Sequence, residues 1–97
     1  MMVGLFPLGR LLATPGALQA LEVAGLAPFA LLARHMAGEW GDLDDEDCRA
    51  NDRALRDGSR LLSAYVLHGG VRVWVITEAE DDEGQRAATT LLLPREY

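Results

Sequence analysis

The chain has 97 residues, enough for one hydrophobic core and too few for two. Its 15 acids outnumber its 9 bases, all arginine, for a net charge of −6. That balance argues against a general grip on nucleic-acid phosphates. An apolar fraction of 49% excludes a disordered tail, and a single cysteine excludes an internal disulfide framework.

The start, Met1 to Leu8, is apolar but has no basic residue to open a signal peptide. No uncharged run reaches the roughly 20 residues that span a bilayer. Cys48 fits a reducing, cytoplasmic setting, and the acids from Asp44 to Asp47 disfavour its thiolate. Residues 1–13 read as an N-terminal extension or an edge strand, with Phe6 to Leu12 the extended piece.

Thr14-Pro15 opens the first helix as cap and first-turn proline. Ala17, Leu18, Leu21 and Ala24 recur at helical spacing, and Gly25 is placed to stop the helix. Pro28 starts a second helix with Phe29, Leu31, Leu32 and Met36 as its apolar body. The short join predicts a helical hairpin. Asp44 caps a third helix with Asp47 in the capping-box position and Leu43 and Cys48 at staple positions. Gly58 ends it. Acids in its first turn and Arg49, Arg53 and Arg56 beyond suit the helix dipole. Its thin apolar stripe predicts an exposed helix.

From Arg60 the pattern changes. Leu61–Leu67 reads as a strand, His68-Gly69-Gly70 as a turn, and Val71–Glu78 as a strand with valines on one face and Trp74 and Ile76 on the other. An acidic loop, Ala79–Gln85, leads to a third strand, Arg86–Leu93. The expected fold is α+β: a helical part, 14–58, packed on an antiparallel three-stranded meander, 60–93, in a single domain. Leu18, Leu21, Phe29, Leu32, Leu61, Tyr65, Trp74, Ile76 and Leu91 are the expected core. Both sheet faces carry apolar residues, so one is expected under the helices and the other against a second copy.

Candidate chemistry is sparse. His35, Glu39 and Asp42 match structural zinc sites poorly, and His35 reads as a helix-end histidine favoured by the dipole. Asp42 to Asp47 has Asp47 where a calcium loop needs glycine. No metal and no cofactor is expected. Ser63 and His68 lack the strained elbow of a serine hydrolase. The second helix offers too few donors to read DNA bases. Trp40, in a glycine-flanked acidic loop, is either a plug that pins the loop or an anchor for a partner.

Ala13-Thr14-Pro15-Gly16-Ala17-Leu18, Arg34-His35, Gly38-Glu39-Trp40-Gly41-Asp42-Leu43, Ser63-Ala64-Tyr65, Val73 to Ala79 and Thr89 to Tyr97 together resemble a group of small bacterial proteins from plasmids, phages and accessory genomic regions. Some of these carry a label linking them to type I restriction systems, although 97 residues cannot house a methyltransferase. The resemblance spans nearly the whole chain from Phe6 and implies no known chemistry. Where the group has a short link before the Thr-Thr strand, this chain inserts Glu80 to Gly84, which displaces Arg86.

The reading that follows is a non-enzymatic interaction protein of the accessory genome. It would be an inhibitor or adaptor of a nucleic-acid-handling defence complex, such as a restriction or CRISPR machine. Its partner would be a protein with a basic surface, with no direct contact to nucleic acid or membrane. Trp40, Asp42, Asp44, Asp45, Glu80, Asp81, Asp82 and Glu83 are the expected contacts. Neutralising Glu80 to Glu83 together is expected to leave melting unchanged. The alternative is a small ribonuclease, from a distant likeness to toxin ribonucleases. There His68, Glu78, Arg86 and Thr90 would be the catalytic positions: His68 or Glu78 would take the 2′-hydroxyl proton, and Arg86 would balance phosphate charge.

Overall fold

The computed structural model describes residues 4–97. Chain order is β1 (Arg10–Ala13), α1 (Pro15–Ala24), α2 (Pro28–Met36), α3 (Asp45–Asp57), β2 (Leu61–Val66), β3 (Arg72–Thr77) and β4 (Ala88–Leu92), then a 3-10 turn, Pro94–Glu96. The sheet has four strands in the order β1-β4-β3-β2. β2, β3 and β4 are antiparallel neighbours, but β1 lies parallel to β4 with Arg10 level with Ala88 and Ala13 with Leu91. The expected three-stranded antiparallel meander is therefore wrong: the sheet is mixed. Gly9 makes the extra pairing feasible. Its φ is +66°, and a Cβ there would lie 2.4 Å from the Arg86 carbonyl oxygen.

The helix ends follow local chemistry. The Thr14 hydroxyl accepts from the Ala17 N–H at 3.1 Å, and the Asp44 carboxylate accepts from the Asp47 N–H at 2.8 Å. Gly25 and Gly58 close α1 and α3 in the left-handed conformation. α1 and α2 do not form the expected hairpin. The chain bends by 102° between them, so the pair makes a corner over the sheet. Among the described residues, no single helix is long and apolar enough to cross a membrane.

Strand alternation assigns the faces. Leu61, Ser63 and Tyr65 of β2, Val73, Val75 and Thr77 of β3, and Thr89 and Leu91 of β4 lie under the helices, each at most 2% exposed. The main core joins Ala17, Leu21, Leu31 and Leu32 to Tyr65, Val73, Val75 and Leu91. A second cluster, Phe6, Trp40, Ala54 and Leu61, sits under α3.

Trp74 and Ile76 are on the opposite face, not the helix-covered one. There Ile76 is buried, while Trp74 is half-buried edge-on to Tyr97, ring centres 5.8 Å apart. Leu18 and Phe29 were also expected in the core and are exposed. α1 buries the Ala17–Leu21 line, which turns Leu18 aside, and α2 buries Leu31, Leu32 and His35. α3 buries only Asn51 and Ala54 and is the exposed helix its sequence predicts.

Candidate functional site

A polar chain lies between the two apolar clusters. α2 delivers His35 to the sheet one turn beyond Leu31 and Leu32. Its Nδ1 is 2.5 Å from the Ser63 Oγ and its Nε2 is 2.9 Å from the Thr77 Oγ1. The Thr77 and Thr89 hydroxyls are 2.7 Å apart, and Thr89 donates to the Leu8 carbonyl at 2.7 Å.

Each hydroxyl has one proton, which fixes every direction. Thr89 spends its proton on Leu8, so Thr77 must donate to Thr89. Thr77 then accepts from the His35 Nε2–H, and Nδ1, bare in the neutral ring, accepts from Ser63. Phe6 and Trp40 close over the imidazole edge-on, at 5.1 and 5.8 Å between ring centres. Burial pushes the His35 pKa down to about 4, so the ring is neutral at ordinary pH. This is not the dipole-stabilised helix-end cation expected from sequence.

A serine that donates to a neutral imidazole has the geometry of an activated nucleophile. Here Ser63, His35, Thr77 and Thr89 are all fully buried, so no substrate reaches the serine. The network instead ties α2, β2, β3, β4 and the N-terminal segment together. Each buried side-chain polar atom among the described residues has a partner.

Arg86 is the second buried polar anchor, 5% exposed. Its guanidinium donates to the carbonyls of Ser59 at 2.8 Å, Glu78 at 2.9 Å and Ala54 at 3.2 Å, with the Glu80 carboxylate 3.9 Å away. It thereby fastens the end of α3 to the β3–β4 connection. The four residues of the ribonuclease alternative are not brought together. His68 is at the exposed β2–β3 turn, and Glu78 follows the far end of β3, a strand about 17–20 Å long. Glu78 and Thr90 share a groove on the outer face with Ile76, Leu92 and Tyr97. Arg86 is committed to backbone carbonyls inside.

Trp40 is 6% exposed and stacks on Phe6 at 6.3 Å, with its indole N–H donating to Asp52 at 3.3 Å. It is the plug of the two readings; a partner would find almost none of its surface. Gly41 permits this. Its φ is +81°, and a Cβ would lie 2.1 Å from the Ala64 carbonyl oxygen, so the Trp40–Asp42 backbone can run against the β2 edge.

All fifteen acids are exposed, whereas one arginine of nine is buried. The two acidic clusters stand at opposite ends of α3, a helix about 20 Å long. Asp44 to Asp47 surround its N-terminus, and the Glu80–Glu83 loop meets Gly58 at its C-terminus, where the Glu80 N–H donates to the Gly58 carbonyl at 2.8 Å. Arg49, Arg53 and Arg56 lie on the helix between them.

Several of these acids have structural work. Asp42 pairs with Arg72, and Asp44 is the cap. The Asp81 carboxylate accepts from the N–H groups of Glu83 at 2.8 Å and Gln85 at 3.0 Å, which folds the loop on itself. The sequence showed no capping role for this cluster, and that reading is corrected. Glu80 and Asp81 hold the loop, so neutralising all four acids would not leave the fold untouched. Asp45, Glu46, Asp82 and Glu83 form no ion pair within the described residues.

Cys48 lies beside the first cluster. Burial first, then the charges of Asp45 and Asp52, raise its thiol above the usual cysteine range. At mildly alkaline pH, iodoacetamide should therefore alkylate Cys48 several-fold more slowly than it alkylates glutathione; mass spectrometry against time checks this.

No family model, curated protein or solved structure matches the chain. The residues' own geometry is what bears on function.

Proposed function

We propose that the protein is a non-enzymatic interaction module that presents acidic groups to a basic protein surface, as an inhibitor or adaptor of a nucleic-acid-handling complex. The observation that carries this reading is the rigid mounting of acids that form no ion pair among the described residues. Asp45 and Glu46 ride on the capped first turn of α3, and Asp82 and Glu83 on the loop that Asp81 folds. Carboxylates about 20 Å apart, on supports that do not need ordering, suit a surface that otherwise tracks nucleic-acid phosphates. The resemblance to proteins of plasmids, phages and accessory regions is consistent with a target in a defence system.

The ribonuclease alternative has less support, because Arg86 is spent on Ala54, Ser59 and Glu78 and lies far from His68.

The test uses a partner isolated by affinity capture and identified by mass spectrometry. Replacing Asp45, Glu46, Asp82 and Glu83 with Asn or Gln should slow association about tenfold at low salt and flatten its salt dependence. Melting should shift by no more than a few degrees, since these four side chains make no hydrogen bond or ion pair among the described residues and only Asp45 and Glu46 give up a favourable interaction with the α3 dipole. An unchanged association rate at low salt would overturn the reading. So would cleavage of RNA by the purified chain that is lost in Arg86→Lys.

A further inference from the structure

The two edges of the sheet are finished differently. On β2, the Asn51 side chain donates to the Leu62 carbonyl at 2.7 Å and accepts from the Leu62 N–H at 3.0 Å. The next outward residue is met by the Trp40–Asp42 segment: the Ala64 N–H donates to Trp40 at 3.1 Å, and the Asp42 N–H donates to Ala64 at 2.7 Å. That edge is closed over Leu62 and Ala64. On β1, the N–H groups of Arg10 and Thr14 donate to Ala87 and Leu91 of the β4 side at 3.0 Å. Alternation then turns the backbone groups of Leu11 and Ala13 outward, and nothing among the described residues meets them. Leu11 and Leu12 are 54% and 42% exposed beside them. Native proteins ordinarily shield such an edge.

We propose that β1 pairs antiparallel with β1 of a second copy, which joins two sheets into one of eight strands. The hydrogen-bonding pattern sets the register. Leu11 of each copy exchanges both backbone bonds with Ala13 of the other, and Leu12 meets its own counterpart at the two-fold axis. Antiparallel partners at this register keep the same faces together. Arg10, Leu12 and Thr14 share the outer face with Ala88 and Thr90.

Charge complementarity favours a second copy over another extended partner. The register sets Arg10 opposite Thr14 of the other copy, and the Thr14 hydroxyl donates to the Glu96 carboxylate at 2.6 Å. The Thr14 hydroxyl and the Leu93 N–H hold the Glu96 carboxyl below the usual carboxylate range. Glu96 lines the outer-face groove with Thr90 and Leu92, on the side where Arg10 of the second copy arrives. Two symmetry-related Arg10–Glu96 pairs follow. β1 itself carries no acid, so the two strands meet without a direct clash of carboxylates between chains of net charge −6. On the opposite edge only Val66 keeps outward backbone groups unmet among the described residues, too little for a second strand to pair with, so pairing through β1 ends at two.

Sedimentation equilibrium of the full chain, across micromolar to millimolar concentration, tests this. The expected result is a reversible shift from the 10.5 kDa monomer to a species of twice that mass. Amide exchange at Leu11 and Ala13 should slow as concentration rises, while exchange at Leu62 and Ala64 stays constant. Leu12→Lys and Arg10→Glu should each weaken the dimer at least tenfold. Both positions are exposed, so circular dichroism and melting should show the fold retained. A monomer at every concentration would overturn the proposal, as would a dimer that survives both substitutions.

Discussion

Acidification from neutral pH to about pH 4 should cost the fold about 3 kcal/mol through His35 alone. The folded imidazole is neutral because burial depresses its pKa from 6.5 to about 4. The unfolded chain takes up the proton as pH falls through about 6.5, while the folded chain refuses it until about 4. His35 therefore contributes its full stability above the unfolded value. That contribution drains away between the two values and is constant below them. Urea unfolding at pH steps through this window checks it.

His35→Gln is the control. A glutamine offers one donor and one acceptor to Thr77 and Ser63 and does not titrate. The variant should be less stable at neutral pH and nearly flat across the window. Asp57 and Glu96, both held below their usual range by hydrogen bonds, lose their contribution only as pH falls through the ordinary carboxylate values, at the acid end of this window and below it, in wild type and variant alike. A wild-type curve as flat as that of the variant would show that the buried imidazole is not neutral or not sealed.

What could be read from sequence divides by range. Thr14, Asp44, Gly25 and Gly58 announce helix ends because a cap is settled within four residues. Gly69-Gly70 announces the β2–β3 turn for the same reason; both take positive φ. β1 was harder: four residues without alternation, paired to a strand 78 positions away. Nothing local distinguishes a parallel pairing of that separation from an extended tail.

The choice of buried face was ambiguous because valines line one side of β3 and Trp74 and Ile76 the other. Polar residues decide it against the usual rule. Ser63, Thr77 and Thr89 are on the valine side and are fully buried. Their signal was present: they keep the parity of Leu61, Val75 and Leu91, and His35 follows Leu31 and Leu32 on the apolar face of α2. Each looks like an error alone. Together they satisfy one another, over separations of 28 and 42 residues that no local pattern reports.

Trp40→Ala should destabilise the protein by about 3–5 kcal/mol, the usual cost of removing a buried large aromatic. In a chain of this size that is a fall in Tm of more than about 12 °C. The indole does more than fill space. It stacks on Phe6 and, with it, covers the His35 ring, so its removal opens a path for water to the Ser63–His35–Thr77 network. A hydrated imidazole regains much of its ordinary pKa. The stability gap between wild type and Trp40→Ala should therefore be widest at neutral pH and should narrow toward pH 4, since the wild type loses its His35 contribution there and the variant has little left to lose. Trp40→Phe separates the roles. It keeps an aromatic lid and gives up the 3.3 Å bond to the exposed Asp52 and part of the indole's buried volume, so it should lose less stability than Trp40→Ala and keep the wild-type pH dependence. Parallel pH profiles for wild type and Trp40→Ala would mean that Trp40 packs without sealing, and Phe6 alone would then account for the dryness of His35.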